Sequence, residues 1–157
     1  MFEGTVVSIY IAEGPGAEML PVTEVNAVPG KGLEGDRYFK NEGTFSKPEP
    51  DRELTLIESE AIDSFKTELN LDFDLGASRR NVVTRGVPLN HLVGREFQVG
   101  AIRVRGLRLC EPCSHLAKLS DKRVLPGLVH RAGLRAQILT AGVIRPGDLI
   151  CEQVGEL

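Results

Sequence analysis

The sequence predicts a mainly β protein: a closed or barrel-like β domain with one long helix and short helical turns. Short runs rich in Val, Ile, Thr and Leu recur along the chain, and one clear stretch has apolar residues at helical spacing. Strands that alternate apolar and polar residues need a closed or two-layer sheet to bury their apolar faces. Because 157 residues and 17.1 kDa match one ordinary domain, we expect residues 1–157 to form a single domain.

The strands are predicted from these runs of β-forming residues. In chain order they are "GTVVSIYI" (4–11), "VTEVNAV" (22–28), "ELTLI" (53–57), "RNVVTRG" (80–86), "REFQVG" (95–100) and "IRVRGLRL" (102–109). The last two are predicted to form a hairpin that turns at Gly100-Ala101. The stretch "AQILTAGVIRPGDLICEQV" (136–154) predicts two more strands, the second entered through a Pro146-Gly147 turn.

The run "IRVRGLRL" has the clearest alternation. Arg103, Arg105 and Arg108 are expected to point away from the apolar residues between them. Gly106 breaks the strict period of two, which predicts a β-bulge at that position.

The long helix is predicted near residues 58–69, in "IESEAIDSFKTELNL". Ile62, Phe65 and Leu69 are expected to pack inward, and acidic residues occupy the first turns, where the helix dipole favours them. The stretches "SHLAKLS" (114–120) and "GLVHRAG" (127–133) are candidates for short helical turns. The polar stretch "NEGTFSKPEPDRE" (41–53) contains two prolines and predicts a mobile loop.

Composition excludes several classes of protein. Hydrophobic residues at 41% and charged residues at 26% argue against disorder, and no apolar run approaches the roughly 20 residues of a membrane helix. The N-terminus lacks the basic region of a signal peptide, and three cysteines suit a reducing compartment, so we expect a cytoplasmic protein without membrane association. Trp is absent and aromatic residues make up 5%, which argues against a nucleic-acid partner.

The net charge of −3 conceals an uneven distribution. Residues 1–76 contain 6 Lys and Arg against 16 Asp and Glu, whereas residues 77–135 contain 12 against 3, a balance of +9. One interpretation is that the two halves of one domain attract each other. The other is that the basic segment, which contains two of the cysteines, lines a pocket for an anion.

The stretch "LCEPCSHLAKL" (109–119) is open to four interpretations. A zinc site formed by Cys110, Cys113 and His115 would have fewer protein ligands than the usual structural four. A dithiol redox pair normally follows a strand in a βαβ unit, which the hairpin pattern here does not match. A single reactive thiolate at Cys113 is favoured by a helix start and by nearby basic residues, both of which lower a thiol pKa. Buried, inert cysteines are the fourth interpretation.

Two further clusters contain candidate ligand-binding residues. "GKGLEGDRYF" (30–39) places three glycines around a turn that ends in Asp36-Arg37, and a guanidinium fork suits phosphate or carboxylate. "GASRRNVVTRG" (76–86) places Arg79, Arg80 and Asn81 where a loop enters a strand. Adjacent residues on a strand face opposite ways, so one arginine can point to a site while the other faces elsewhere. An anion needs several cations at once, so we nevertheless expect Arg37, Arg79 and Arg80 to converge on one concave face near Cys113. Each cluster is also compatible with an ordinary turn or a solvated strand end.

Taken together, the ordered motifs resemble the MOSC domain family, named after the C-terminal domain of molybdenum cofactor sulfurases. The motifs are "GLEGDRY", "RELTLIESEAI", "SRRNVVTRGVPLNHLVGREFQVG", "LCEPCSHL" and "GLRAQILTAGVIRPGD", and the resemblance covers Gly4 to Leu149. It implies a strand-rich, barrel-like fold and a link to the molybdenum cofactor, to sulfur transfer, or to the reduction of N-hydroxylated compounds. The chemistry it implies is independent of pyridoxal phosphate.

The resemblance also assigns roles to residues. It implies that Cys113 is the catalytic sulfur, as a sulfur carrier or as a metal ligand, and that Asp36, Arg37, Arg79, Arg80 and Asn81 bind the cofactor. The larger molybdenum reductases of the family have a further metal-binding cysteine before the final strands, and "SDKRVLPGLVHRAGL" (120–134) has none. The leading hypothesis is therefore a protein that binds molybdopterin or carries sulfur on Cys113. The alternative is a non-enzymatic module that delivers sulfur to a partner protein, and a zinc-stabilised β domain is the third.

Overall fold

A closed barrel of seven strands forms the main body of the chain. The computed structural model describes residues 2–14, 16–39, 52–111, 123 and 127–152. Strands β11, β7, β8, β9, β5, β6 and β1 pair in that order, and β1 pairs back with β11, which closes the barrel. The strands are β1 (Glu3–Ile11), β2 (Leu20–Val22), β3 (Val25–Val28), β4 (Gly32–Leu33), β5 (Leu54–Glu58), β6 (Val82–Arg85), β7 (Glu96–Val99), β8 (Ile102–Leu109), β9 (Leu134–Ile138), β10 (Gly142–Ile144) and β11 (Leu149–Glu152).

Smaller elements surround this barrel. Strand β2 extends the sheet beyond β1, and β10, β3 and β4 form a separate three-stranded sheet. The long helix α1 (Ser59–Leu69) connects the parallel strands β5 and β6, and single 3₁₀ turns occur at Leu75–Ser78 and Leu89–Leu92. The predicted fold class, a mainly β closed barrel with one long helix, is confirmed. Among the described residues, no helix is long and apolar enough to cross a membrane.

Strand β8 shows how alternation in the sequence becomes a barrel wall. Ile102 and Val104 are buried inside, while Arg103 and Arg105 are exposed outside. The hairpin between β7 and β8 turns at Gly100-Ala101, as predicted, with Val99 opposite Ile102. The predicted bulge also occurs, because the pairing with β9 shifts between Gly106 and Arg108.

Two hydrophobic clusters lie on opposite sides of the barrel wall. The inner cluster fills the barrel and includes Leu54, Leu56 and Phe97. The outer cluster lies under helix α1 and includes Ile57 and Phe65. Strand β5 contributes to both, which explains why its residues 54–57 are all buried and why its sequence is continuously apolar.

Helix α1 matches the predicted span to within one residue, but its buried face is shorter than expected. Ile62 and Phe65 are fully buried, whereas Leu69 is 36% exposed, so the predicted inward packing of Leu69 is wrong. The reason is the helix end: Asn70 adopts a left-handed conformation with φ of 49°, and the chain turns away one residue later. Leu69 therefore lies on the last turn, beyond the part of the helix that covers the barrel.

Two other expectations need correction or fall outside the structure. The C-terminal stretch forms three strands, β9 to β11, rather than two, because the short β10 leaves the barrel to pair with β3. Within the predicted helical turn at 127–133, residue 127 is helical, residues 129–131 form a turn, and residues 128 and 132 are bends. The predicted helical turn at 114–120 and nearly all of the predicted loop at 41–53 lie outside the described residues.

Candidate functional site

The candidate site lies where β1 ends and β6 begins. The turn after β4 brings Asp36 and Arg37 to this place, and Gly35 makes that turn possible. Gly35 has a φ of +91°, and a Cβ there would lie 3.2 Å from the Ile11 side chain. The motif "GLEGDRY" thus requires glycine for its backbone geometry, independently of any ligand.

Asp36 has a buried carboxylate, and one of its two oxygens accepts hydrogen bonds from described residues. Its Oδ1 accepts hydrogen bonds from the backbone N–H of Ala12 at 3.0 Å and from Nη1 of Arg37 at 3.1 Å. Its side chain is 1% exposed, and Oδ2 has no hydrogen-bond partner among the described residues. Asp36 therefore anchors Arg37 and attaches it to the end of β1.

Arg37 contacts three different side chains. Besides the Asp36 bond, Nη1 lies 3.6 Å from Sδ of Met19, and the guanidinium carbon lies 4.5 Å from the centre of the Tyr38 ring. The ring contact is a cation–π interaction. These contacts hold the guanidinium in one orientation although it is nearly buried.

Arg79 joins Arg37 at this site. It has a φ of 59°, a conformation unusual for a residue other than glycine, and its Nη1 donates to the Ala17 carbonyl at 2.8 Å. Burial lowers the pKa of Arg79, the neighbouring positive charge of Arg37 lowers it further, and Tyr38 and Asp36 oppose the change. Two buried guanidinium groups thus lie near each other with one buried carboxylate, an excess of one positive charge.

Arg80 points to a different part of the structure. Its Nε donates to the Ala132 carbonyl at 2.9 Å, and its Nη2 donates to the carbonyls of Cys110 at 3.1 Å and Glu111 at 3.5 Å. The left-handed backbone of Arg79 directs these two consecutive side chains to separate partners. Arg80 thereby connects the end of β8, which leads into the stretch that contains Cys110 and Cys113, to the start of β9.

Asn81 connects three strands within the barrel wall. Its Oδ1 accepts hydrogen bonds from the backbone N–H and the hydroxyl of Thr55, and its Nδ2 donates to the Tyr10 carbonyl at 3.1 Å. The Thr55 hydroxyl in turn accepts the Asn81 backbone N–H at 2.9 Å. These bonds fix β1, β5 and β6 relative to one another where the arginines emerge.

The cysteines are placed very differently. Cys113 lies outside the described residues, as does His115. Cys110 is 2% exposed, and its backbone N–H donates to the Gly133 carbonyl. Cys151 lies opposite Glu3 at the start of β1, about 30 Å along the strand from Ala12 at a rise of about 3.3 Å per residue.

Glu111, the residue after Cys110, forms two hydrogen-bond contacts with His130. The Glu111 carboxylate accepts the His130 backbone N–H at 2.7 Å, and its other oxygen lies 2.7 Å from His130 Nδ1. The sequence had no signal for this pair, or for the contact of Met19 with Arg37. No three His, Cys, Asp or Glu residues in the described part of the chain lie close enough together to bind a metal.

A cavity of about 360 Å³ adjoins Arg79. Met19, Gly76 and Ala77 form apolar or small parts of its lining, and two exposed acidic residues, Glu18 and Asp74, also line it. The cavity is large enough for a small organic ligand. It is bordered by the Arg79 guanidinium, which uses one donor for the Ala17 carbonyl among the described residues.

Comparison with known proteins identifies the family and the fold. The sequence matches the MOSC domain family over residues 38–151. The crystal structure of the YuaD protein from Bacillus subtilis superposes with a TM-score of 0.79 at 15% identity, covering 96% of this chain and 97% of that one. YiiM from Geobacillus stearothermophilus gives a TM-score of 0.74 at 19% identity, with 98% and 78% covered.

YiiM from Escherichia coli is similar to the same degree, with a TM-score of 0.71, 18% identity, and 98% and 71% of the two chains covered. At these identities, the likeness to the solved structures shows the shared fold. No curated protein matches the chain in sequence.

Proposed function

Because the chain belongs to the MOSC domain family, we propose that it binds the molybdenum cofactor and uses Cys113 as the functional sulfur. The observation that supports this most is that the guanidinium groups of Arg37 and Arg79 are buried with one buried carboxylate, that of Asp36, whereas the carboxylates of Glu18 and Asp74, which line the cavity, are exposed to water. Their excess positive charge, buried beside a cavity, would be stabilised by an anionic ligand.

The residues present fit the anionic part of this cofactor. Molybdopterin has a terminal phosphate, and a guanidinium fork can donate two parallel hydrogen bonds to phosphate oxygens. Arg79 uses one N–H for the Ala17 carbonyl and lines the cavity, so its other donors are suited to the ligand. Asp36 keeps Arg37 oriented beside it.

The other predicted site residues have supporting roles in this proposal. Arg80 holds the backbone at Cys110 and Glu111, three and two residues before Cys113, and Asn81 connects the strands from which Arg79 and Arg80 extend. Cys113 would supply a soft thiolate as a metal ligand or as a persulfide carrier. The bound cofactor would supply the redox chemistry, and N-hydroxylated compounds are the proposed substrates.

The locations of the other two thiols support the choice of Cys113. Cys110 is almost completely buried, and Cys151 lies at the opposite end of β1 from Asp36, so neither is well placed to face a ligand at Arg79. We expect Cys113→Ser to abolish the fast-reacting thiol, whereas Cys110→Ser and Cys151→Ser retain it. Alkylation rates measured against pH test this, and faster reaction of Cys110 would contradict it.

Metal and pterin analysis of protein from a molybdenum-replete host tests the cofactor. We expect molybdenum with pterin fluorescence, lost in Arg79→Ala and retained in Arg85→Ala, a matched control with an exposed arginine on β6. A labile persulfide without metal would favour the sulfur-carrier alternative, and stoichiometric zinc would favour the zinc domain. Equal cofactor content in the two arginine variants would show that Arg79 does not bind the cofactor.

A further inference from the structure

The cavity beside Arg79 is lined by charges of both signs. Arg79 is 9% exposed and uses Nη1 for the Ala17 carbonyl. Glu18 and Asp74 line the same cavity, and both are exposed. A site that binds a simple anion has no need of two carboxylates in its lining, so their presence calls for a ligand of another charge pattern.

These two carboxylates are not used elsewhere in the described part of the chain. Neither Glu18 nor Asp74 has a hydrogen-bond or ion-pair partner among the described residues, so neither forms an ion pair with Arg79. Asp74 directly precedes the 3₁₀ turn at Leu75–Ser78, a position where aspartate commonly accepts a backbone N–H, yet its side chain makes no such bond. Both carboxylates are therefore available to a ligand in the cavity.

The two signs of charge restrict what can occupy the cavity. An anion without a positive group would be attracted by Arg79 but repelled by Glu18 and Asp74. A cation without a negative group would be attracted by the carboxylates but repelled by the buried guanidinium groups of Arg37 and Arg79. A molecule with one anionic group and one basic nitrogen group can satisfy both. The volume of about 360 Å³ is sufficient for a small molecule of this kind.

We propose that Glu18 and Asp74 determine the specificity of the cavity, by selecting ligands that combine an anionic group at Arg79 with an amine or guanidinium group. A guanidinium group can donate two parallel hydrogen bonds to a carboxylate. Met19 and Ala77 provide apolar contacts for the carbon chain between the two charged groups. This inference rests on the proposed function in using Arg79 as the anchor for an anion, and it adds the class of small molecule that the cavity accepts.

Ligand titrations followed by NMR test the proposal on the full chain, produced in a host that cannot make molybdopterin. The probes are guanidinoacetate, 4-guanidinobutanoate and 6-guanidinohexanoate, each compared with the alkyl carboxylate of equal length. We expect at least one guanidino acid to bind about threefold or more tighter than its alkyl carboxylate, a modest factor because the pairing carboxylates are exposed. Butylguanidine, which has the positive group alone, should bind more weakly than that guanidino acid.

Two pairs of substitutions with the same change in net charge separate the cavity from the general field of the protein. Glu18→Gln/Asp74→Asn should abolish the preference for the guanidino acid, whereas Glu13→Gln/Asp72→Asn should retain it. Glu13 and Asp72 are exposed acidic residues close in sequence to the first pair, and they are not among the described residues that line the cavity. Circular dichroism checks folding, and Asp74→Asn alone should reduce the preference in the same direction.

Equal binding of every guanidino acid and its alkyl carboxylate, or equal loss of the preference in the control pair, would overturn the proposal. Arg79→Ala should weaken the binding of both kinds of probe by about fivefold or more, because a charge-assisted hydrogen bond to the carboxylate is lost. If Arg79→Ala loses molybdenum and pterin while all probes bind the original chain equally, this inference fails alone. If its cofactor content is unchanged while the guanidino preference is observed, the proposed function fails alone.

Discussion

Replacing Arg80 with alanine should destabilise the protein much more than replacing Arg79. From sequence alone, the two adjacent arginines are equivalent candidates for anion binding. In the structure, the buried Arg80 side chain donates hydrogen bonds to the carbonyls of Ala132 and Cys110 at 2.9 and 3.1 Å. A third, longer contact reaches the Glu111 carbonyl. The variant would leave these acceptors, at the junction of β8 and β9, without their donor.

The magnitude follows from the number of bonds. A hydrogen bond to a charged group contributes roughly 1.5–3 kcal/mol, so loss of two good bonds corresponds to about 3–6 kcal/mol. Water that enters the vacated space would replace part of this, which favours the lower end, about 3 kcal/mol. For a chain of this size, each kcal/mol shifts Tm by about 2–4 °C, so the expected decrease is about 6–12 °C.

Arg79→Ala is the matched comparison. Arg79 donates one hydrogen bond to Ala17, and its charge is disfavoured by burial and by Arg37, so its removal relieves an unfavourable interaction as well as losing a bond. We expect it to lose about 1 kcal/mol or less by urea unfolding. The explanation would be refuted if Arg80→Ala lost less than about 1 kcal/mol, or no more than Arg79→Ala.

Three further predictions concern stability. Phe65→Ala should cost about 3–5 kcal/mol in urea unfolding because Phe65 is fully buried, whereas Leu69→Ala should cost less than half of that; equal losses would contradict the observed helix face. Gly106→Ala should lower Tm more than Gly14→Ala, because a Cβ at position 106 would clash with a backbone carbonyl, whereas a Cβ at position 14 would meet open space; similar Tm values would show that the bulge can relax. Burial raises the pKa of the Glu53 carboxyl, so the folded state binds more protons than the unfolded state just above the ordinary glutamate pKa, and stability should fall as pH rises through that window. Glu53→Gln should remove this slope from urea midpoints measured between about pH 4 and 7, and an unchanged slope would assign it to other groups.

Elements that depend on local pattern could be predicted from the sequence. The alternation in "IRVRGLRL" predicted β8 and the side of the sheet on which its arginines lie, and Gly106 predicted the bulge, because both depend on the period of two within one strand. The spacing of Ile62 and Phe65 predicted the helix and its buried side. The sequence also predicted a closed or barrel-like fold class, since alternating strands need their apolar faces covered.

The contacts between residues distant in sequence could not be predicted in this way, because they depend on how the strands and loops pack. Arg37 and Arg79 are 42 positions apart, and their proximity depends on the turn at Gly35 and on the left-handed backbone of Arg79. Arg80, adjacent in sequence to Arg79, contacts the end of β8 instead. Local periodicity determines the direction of a side chain within one strand, whereas its partners depend on strand order and loop geometry, which are set by contacts distant in sequence.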